Sequence, residues 1–159
     1  MPDFETIYAT YSPQIFRVCM GYVNDAEQAK DLTQETFISV WKNLATFRHE
    51  AQIGTWIFRI ATNNCLRAVE ISKRVVKVEL PYHLPAAPEE PQDDKLPYLY
   101  KAIGELEEME RIIISLVLEG LPQAEIADIV GLSAGNIRVR VHRIKEKLAT
   151  KLKRYGQFE

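Results

Sequence analysis

Within six positions the sequence sets Arg138, Val139, Arg140, His142 and Arg143. Guanidinium groups grouped in this way can pair bidentately with O6 and N7 of guanine, each such contact contributing about 1–3 kcal/mol of discrimination. They can also hold backbone phosphates. At 100° per residue, Arg138, Val139, His142 and Arg143 share one helical face, flanked by Arg140, Lys145 and Lys147. The opposite side carries Ile137, Val141, Ile144, Leu148 and Leu152, the narrow apolar stripe of a helix docked on a core. From Ser133 to Tyr155 eight basic residues face Glu146 alone, in a chain of formal net charge −2, so the cationic character is local. A solvated cationic face is the ordinary alternative for such a helix.

Two further groups of residues carry chemical potential. Phe47, Arg48 and Arg59 surround a loop from Arg48 to Gly54 and offer an aromatic ring and cations to an unstacked base and its phosphates. The helix that follows turns Arg59, Asn63, Leu66 and Arg67 outward while Ile57, Ile60 and Ala61 point inward. Asp31, Gln34, Glu35, Ile38 and Lys42 line a separate helical stripe, away from the core-facing set Ala29, Leu32, Phe37, Val40, Trp41 and Leu44. That stripe is either plain solvent surface or a docking face for a protein.

Other chemistries find little support. His49, His83 and His142 are scattered without ligand spacing, and Cys19 and Cys65 have no CxxC partner, so no metal site, no disulfide framework and no cofactor are expected. There is no Gly-rich phosphate loop and no nucleophile constellation, which argues against an enzyme. The opening MPDFETIYATYS lacks a basic and apolar leader, and nowhere do eighteen uncharged apolar residues follow one another. A cytoplasmic protein without membrane insertion is expected.

The elements that must position these groups are helices. Seven Gly in 159 residues, and segments rich in Ala, Leu, Ile, Glu, Lys and Arg, give an all-α expectation. NDAEQAKDLTQETFISVWKNL has Asn24 or Asp25 as N-cap, with Gln28 as capping-box partner of Asp25. PQAEIADIVG forms a short amphipathic helix with Ile126 and Val130 inward, Gly131 ends it in a left-handed conformation, and Ser133 caps the basic helix. Short helix, tight turn and basic helix make a helix-turn-helix. Between Lys77 and Pro97 stand five Pro and an acidic cluster, which suit an extended linker. The expected organisation is therefore two small helical domains, 1–72 and 98–159, joined by a Pro-rich linker over 73–97, with the helix-turn-helix in the second.

Taken in order, DLTQETFISVWKNL, FRHEAQIGTWIFRIATN and EGLPQAEIADIVGLSAGNIRVRVHRIKEKL resemble an extracytoplasmic-function sigma factor of bacterial RNA polymerase over nearly the whole chain. The resemblance implies a non-catalytic specificity subunit whose partners are core RNA polymerase and promoter DNA, and commonly an anti-sigma factor. It implies that Asp31, Gln34 and Glu35, with Ile38 and Lys42 on the same stripe, dock on the coiled-coil clamp helices of the largest polymerase subunit. Phe47 and Asn63 match positions lining the pocket for a flipped nontemplate-strand base of the −10 element, with Arg48 and Arg59 beside it. Arg138, Val139, His142 and Arg143 match the face that reads the −35 element, with Arg140 suited to a backbone phosphate, and the linker would thread towards the RNA exit channel.

The chain departs from the family pattern in places. Asn136 stands where Thr is usual, Val139 where a small polar residue is usual, Leu106-Glu107 for Leu-Pro, and Pro122 for a Ser or Thr cap. Arg67 and Glu70 invert the family's usual acid-then-base pair. Two other readings compete: a free-standing helix-turn-helix regulator with an N-terminal sensing or dimerisation domain, which would bind palindromic duplex unaided, and a pure interaction adaptor.

Overall fold

In the computed structural model, residues 3–49, 52–71 and 95–156 are described, and they form seven α-helices and one 3-10 turn. Helix α1 spans Phe4–Val23, with the Asp3 carboxylate accepting from the Thr6 amide at 2.8 Å. It ends at Asn24 in the left-handed region (φ 53°), and Asp25 caps the next helix by accepting from the Gln28 amide at 2.9 Å. The two candidate caps of the sequence thus divide the work: Asn24 closes one helix and Asp25 opens the other.

Helix α2 covers Ala26–Asn43, a 3-10 turn follows at Leu44–Thr46, and α3 runs Ile53–Ile71. These three helices enclose Ile7, Ile15 and Val18 from α1, Ala29, Phe37 and Val40 from α2, and Ile57, Ala61 and Cys65 from α3. Each large apolar side chain removed from water contributes about 1.5–3 kcal/mol. Trp41 departs from expectation: placed on the core-facing stripe by periodicity, it is 37% exposed. The inward arc of α2 is already filled by Phe37 and Val40, so the ring lies at its edge. Leu44 and Ile60 are likewise only partly buried, whereas Phe58 is 4% exposed.

The second group comprises α4 (Leu96–Gly104), α5 (Glu108–Leu118), α6 (Gln123–Val130) and α7 (Ala134–Arg154). Pro97, assigned to the linker by composition, lies in the first turn of α4, where its missing amide hydrogen costs no hydrogen bond. Leu96 likewise belongs to α4 and Lys95 precedes it as N-cap, so the helix begins inside the stretch expected as linker; residues 73–94 and the Arg67–Glu70 pairing fall outside the described residues and side chains. At α5 the departure from Leu-Pro has a local solution: Glu107 and Glu110 form a reciprocal capping box. Pro122 starts α6 without a side-chain cap.

Gly131 ends α6 at φ 78°, a conformation that a Cβ disfavours, and the Ser133 hydroxyl accepts from the Asn136 amide at 3.1 Å to open α7. Ile137, Val141, Ile144 and Leu148 are buried as the stripe required, with Leu152 partly so. Ile126 is buried in α6 and Val130 is half-buried, and Ile129 joins the core as well.

The two groups of helices share one continuous apolar cluster. Helix α1 packs on α4 and α5, and α3 packs on α6. Gly21 permits the closest approach, because a Cβ there would lie 2.1 Å from the Ser115 hydroxyl. Cys19 and Cys65, 46 positions apart, bring their sulfurs to 3.8 Å as free buried thiols. The contact with Cys19, together with burial, pushes the Cys65 thiol well above its ordinary pKa. A thiol so protonated is a poor nucleophile. Among the described residues no helix is long and apolar enough to cross a membrane, and no group of His, Cys, Asp and Glu side chains is arranged to hold a metal ion.

Candidate nucleic-acid and polymerase interfaces

The end of α2, the 3-10 turn with Phe47 and Arg48, and the middle of α3 line an open cavity of about 470 Å³. Phe47, Arg48, Arg59 and Asn63, proposed from sequence as one group, all line it. The Phe47 ring stacks on Trp56 with centroids 4.7 Å apart and planes at 29°, and it tilts against His49 at 4.7 Å and 59°. Trp56 holds Phe47 at the cavity wall, and its own ring extends the apolar surface available to a base.

The opposite wall is polar. Arg67 donates to the Asn64 side-chain oxygen at 2.7 Å, and the Asn64 amide reaches the Thr36 hydroxyl at 3.4 Å. Thr36 in turn donates to the Leu32 carbonyl at 2.8 Å. This chain fixes the buried Asn64 amide and leaves the exposed Asn63 amide facing the cavity. An aromatic stack, an amide and three guanidinium groups (Arg48, Arg59, Arg67) around one concavity suit a base with its flanking phosphates. Trp56 and Asn64 were missed by sequence reasoning, and Arg67 was read as outward-facing and as a partner of Glu70 but not as part of this group. Nothing local marks a Trp at the start of an amphipathic helix for a second use, and the Phe47 ring stacked on it shows one.

The Arg59 guanidinium also makes a long-range contact: it donates to the Asp128 carboxylate of α6 at 2.5 Å. Side-chain exposures of 37% and 67% make this a solvated pair.

On α7, Arg138, Val139, His142 and Arg143 are exposed and share the outer face, as expected. Val139 is 47% exposed, enough to meet a thymine methyl. Arg140 is half-buried, and its Nε donates to the Asn136 side-chain oxygen at 2.6 Å. The departure at position 136 therefore orients Arg140. His142 lies 3.2 Å from Glu146, one turn on. Lys147 donates to Glu110 at 2.8 Å, a carboxylate only 9% exposed that also accepts from the Glu107 amide at 3.3 Å. The helix is thus tied through its flank to α5, and Val139, Arg140 and Arg143 line a concavity with Glu107 and Glu110 at that junction.

On α2, Asp31, Gln34, Glu35 and Lys42 are exposed and Ile38 half-buried, all on one side. Trp41 stands one turn beyond Ile38 and adds an exposed aromatic to that face. Acidic and amide groups around an apolar centre suit a docking face for a basic protein helix.

Comparison with known proteins places these features in a family. The family model described as Sigma-70 region 2 matches residues 7–75, and that described as Sigma-70, region 4 matches residues 96–148. The ECF RNA polymerase sigma factor SigE of Mycolicibacterium smegmatis is 27% identical over 98% of this chain, which spans 64% of that protein. The ECF RNA polymerase sigma factor SigW of Bacillus subtilis is 26% identical, with 94% of this chain and 89% of that protein covered. Among solved structures, the sigma factor RpoE in complex with the anti-sigma factor NepR from Bartonella quintana has a TM-score of 0.75. It is 24% identical, with 96% of this chain and 98% of that one covered. CnrH in complex with the cytosolic domain of CnrY has a TM-score of 0.71 at 22% identity, covering 94% of this chain and 87% of that one. These two structures show the same fold.

Proposed function

Because the chain belongs to the extracytoplasmic-function sigma factors, we propose that it binds core RNA polymerase, recognises the −10 and −35 elements of a promoter and promotes transcription initiation. Helices α1 to α3 form the module for core and the −10 element, α4 to α7 the module for the −35 element, and the stretch between them, ending before Leu96, is the connection. The polymerase performs the chemistry, in the cytoplasm, and this chain supplies position and an opened strand.

The Phe47–Trp56 stack at the wall of a cation-ringed cavity carries this reading. Flipping a base out of a duplex costs a few kcal/mol. Stacking on an aromatic ring returns about 1–3 kcal/mol per base, and guanidinium contacts to the flanking phosphates supply more. The pocket thus holds an opened state that the duplex alone would not populate. Asn63 presents both a donor and an acceptor to the base edge. Arg138 and Arg143 read the −35 duplex, Arg140 holds a phosphate, and Val139 favours a thymine methyl. Asp31, Gln34 and Glu35, with Ile38, Lys42 and Trp41, meet the core enzyme. An anti-sigma factor is the expected restraining partner.

The deciding experiment is runoff transcription with purified bacterial core polymerase and a promoter library. Transcripts that depend on added protein and share two conserved upstream elements are the expected result. Failure with every core enzyme, together with tight unaided binding to palindromic duplex, would identify a free-standing regulator instead.

A further inference from the structure

We propose that Arg67 holds the backbone phosphate on one side of the captured base, and that the buried Asn64 is the residue that positions it. This rests on the reading of the Phe47–Arg59–Asn63 cavity as the −10 pocket.

The placement follows from helical spacing. Arg59, Asn63 and Arg67 succeed one another at intervals of four on α3, so they stand on one side of the helix with about 12 Å of axis between the two arginines. All three line the cavity. The amide that meets the base edge thus has one guanidinium a turn before it and another a turn after it. A base entering the cavity brings a phosphate on each side, and Arg59 serves only one of them. Position 67 is also where this chain reverses the family's usual acid, which would repel the second phosphate.

The Arg67 guanidinium is anchored from behind. Its Nη2 donates to the Asn64 side-chain oxygen at 2.7 Å and its Nε to the Asn63 carbonyl at 3.4 Å. These bonds use two of the five N–H donors and leave three, enough for a bidentate grip on phosphate oxygens. Asn64 is 8% exposed, and its amide nitrogen reaches across to α2, where the Thr36 hydroxyl lies at 3.4 Å. That hydroxyl is itself directed by its bond to the Leu32 carbonyl at 2.8 Å.

Burying an amide costs free energy that an apolar side chain of similar size avoids. What the amide supplies, and a leucine does not, is an acceptor for Arg67. A long side chain already held in place loses less conformational freedom when its ligand arrives. Asn64 therefore acts through Arg67 and touches no part of the base.

The test is a titration of fluorescein-labelled single-stranded DNA of randomised sequence against holoenzyme reconstituted from the full chain and bacterial core polymerase, at several salt concentrations, with core alone as the reference. Arg67→Gln is expected to weaken binding about threefold to tenfold. It should also reduce the slope of log affinity against log salt by about 0.7, the share of one single-strand phosphate. Arg67→Lys keeps the charge and should restore that slope. Asn64→Leu keeps the packed volume and removes the acceptor. It is expected to cost about threefold in affinity with Arg67 present, and nothing further beside Arg67→Gln. Equal losses from Asn64→Leu in both backgrounds would make it a purely structural residue, and an unchanged salt slope for Arg67→Gln would remove the phosphate contact; either result overturns the proposal. Phe47→Ala separates the proposal from the reading beneath it. If Phe47→Ala leaves binding unchanged, the cavity is not the −10 pocket and both fall, whereas a loss with Phe47→Ala and none with Arg67→Gln overturns the Arg67 assignment alone.

Discussion

The rings of Phe47 and Trp56 stack at 4.7 Å at the wall of the cavity proposed for the −10 base, so the residue proposed to receive that base is itself held in place by a second aromatic. Phe47→Ala removes the platform and is expected to weaken binding of a single-stranded −10 oligonucleotide to holoenzyme by about 1–3 kcal/mol. Trp56→Ala should reproduce part of that loss by freeing the Phe47 ring, while Trp56→Phe retains most affinity. Fluorescence anisotropy with the labelled oligonucleotide measures both. Equal affinity for wild type and Phe47→Ala would remove the base-capture role.

What was legible in the sequence follows from what periodicity can encode. The α7 stripe was plain because one helix carries both its apolar anchors and its cationic face, and every assignment on it depends on neighbours within a few turns. The caps at Asp25, Gly131 and Ser133 were readable for the same local reason. Trp41 was not, because a helix in a three-helix bundle carries a broad apolar arc, and spacing alone does not say where the arc ends. The Arg59–Asp128 and Arg17–Glu119 pairs join positions 69 and 102 apart, which no local pattern records. The cavity lay between: Phe47, Arg48, Arg59 and Asn63 were found as a group, whereas Trp56, Asn64 and Arg67 were not joined to it.

The α2 face makes a prediction about core polymerase. Glu35 is exposed beside Asp31 and Gln34, with Ile38 and Trp41 forming the apolar part of the same surface. Glu35→Lys is expected to lower affinity for purified core about tenfold, since it reverses one charge on the face proposed to dock there. Trp41→Ala should weaken the same binding without changing the salt dependence. Immobilised-core titration reports both, and a normal Glu35→Lys affinity would exclude this helix as the docking face.

Acid stability offers a check on the second module. Lys151 and the Tyr155 hydroxyl each donate to Glu105 at 3.0 Å, and these bonds hold its carboxyl below its ordinary value of 4.5. A folded-state pKa below the unfolded one means stability that is present above the unfolded value and is lost as the pH falls through the folded one. Glu105→Gln should therefore be less stable than wild type at neutral pH, and the difference should shrink below pH 4.5 and vanish in stronger acid. Urea melts from pH 7 downward follow this gap. A gap that stays constant with pH would show that the carboxylate charge contributes nothing.

The outer face of α7 supplies the prediction that separates the modules. Arg143 is exposed there, and its helix is fixed from behind by Ile144 and Leu148 and at its flank by Lys147 on Glu110. Loss of one bidentate guanine contact costs about 1–3 kcal/mol, so Arg143→Ala should weaken −35 duplex recognition by that amount and relax preference at one base pair. Binding to core should be unchanged, because the face proposed for core lies on α2. Arg140→Gln, which removes a cation held by Asn136 at 2.6 Å, should instead weaken all duplex sequences alike and reduce the salt dependence by about one counterion. Competition binding across a −35 library at two salt concentrations distinguishes the two patterns. A uniform loss for Arg143→Ala would assign it to phosphate, and a parallel loss of core affinity would refute the division of labour between the modules.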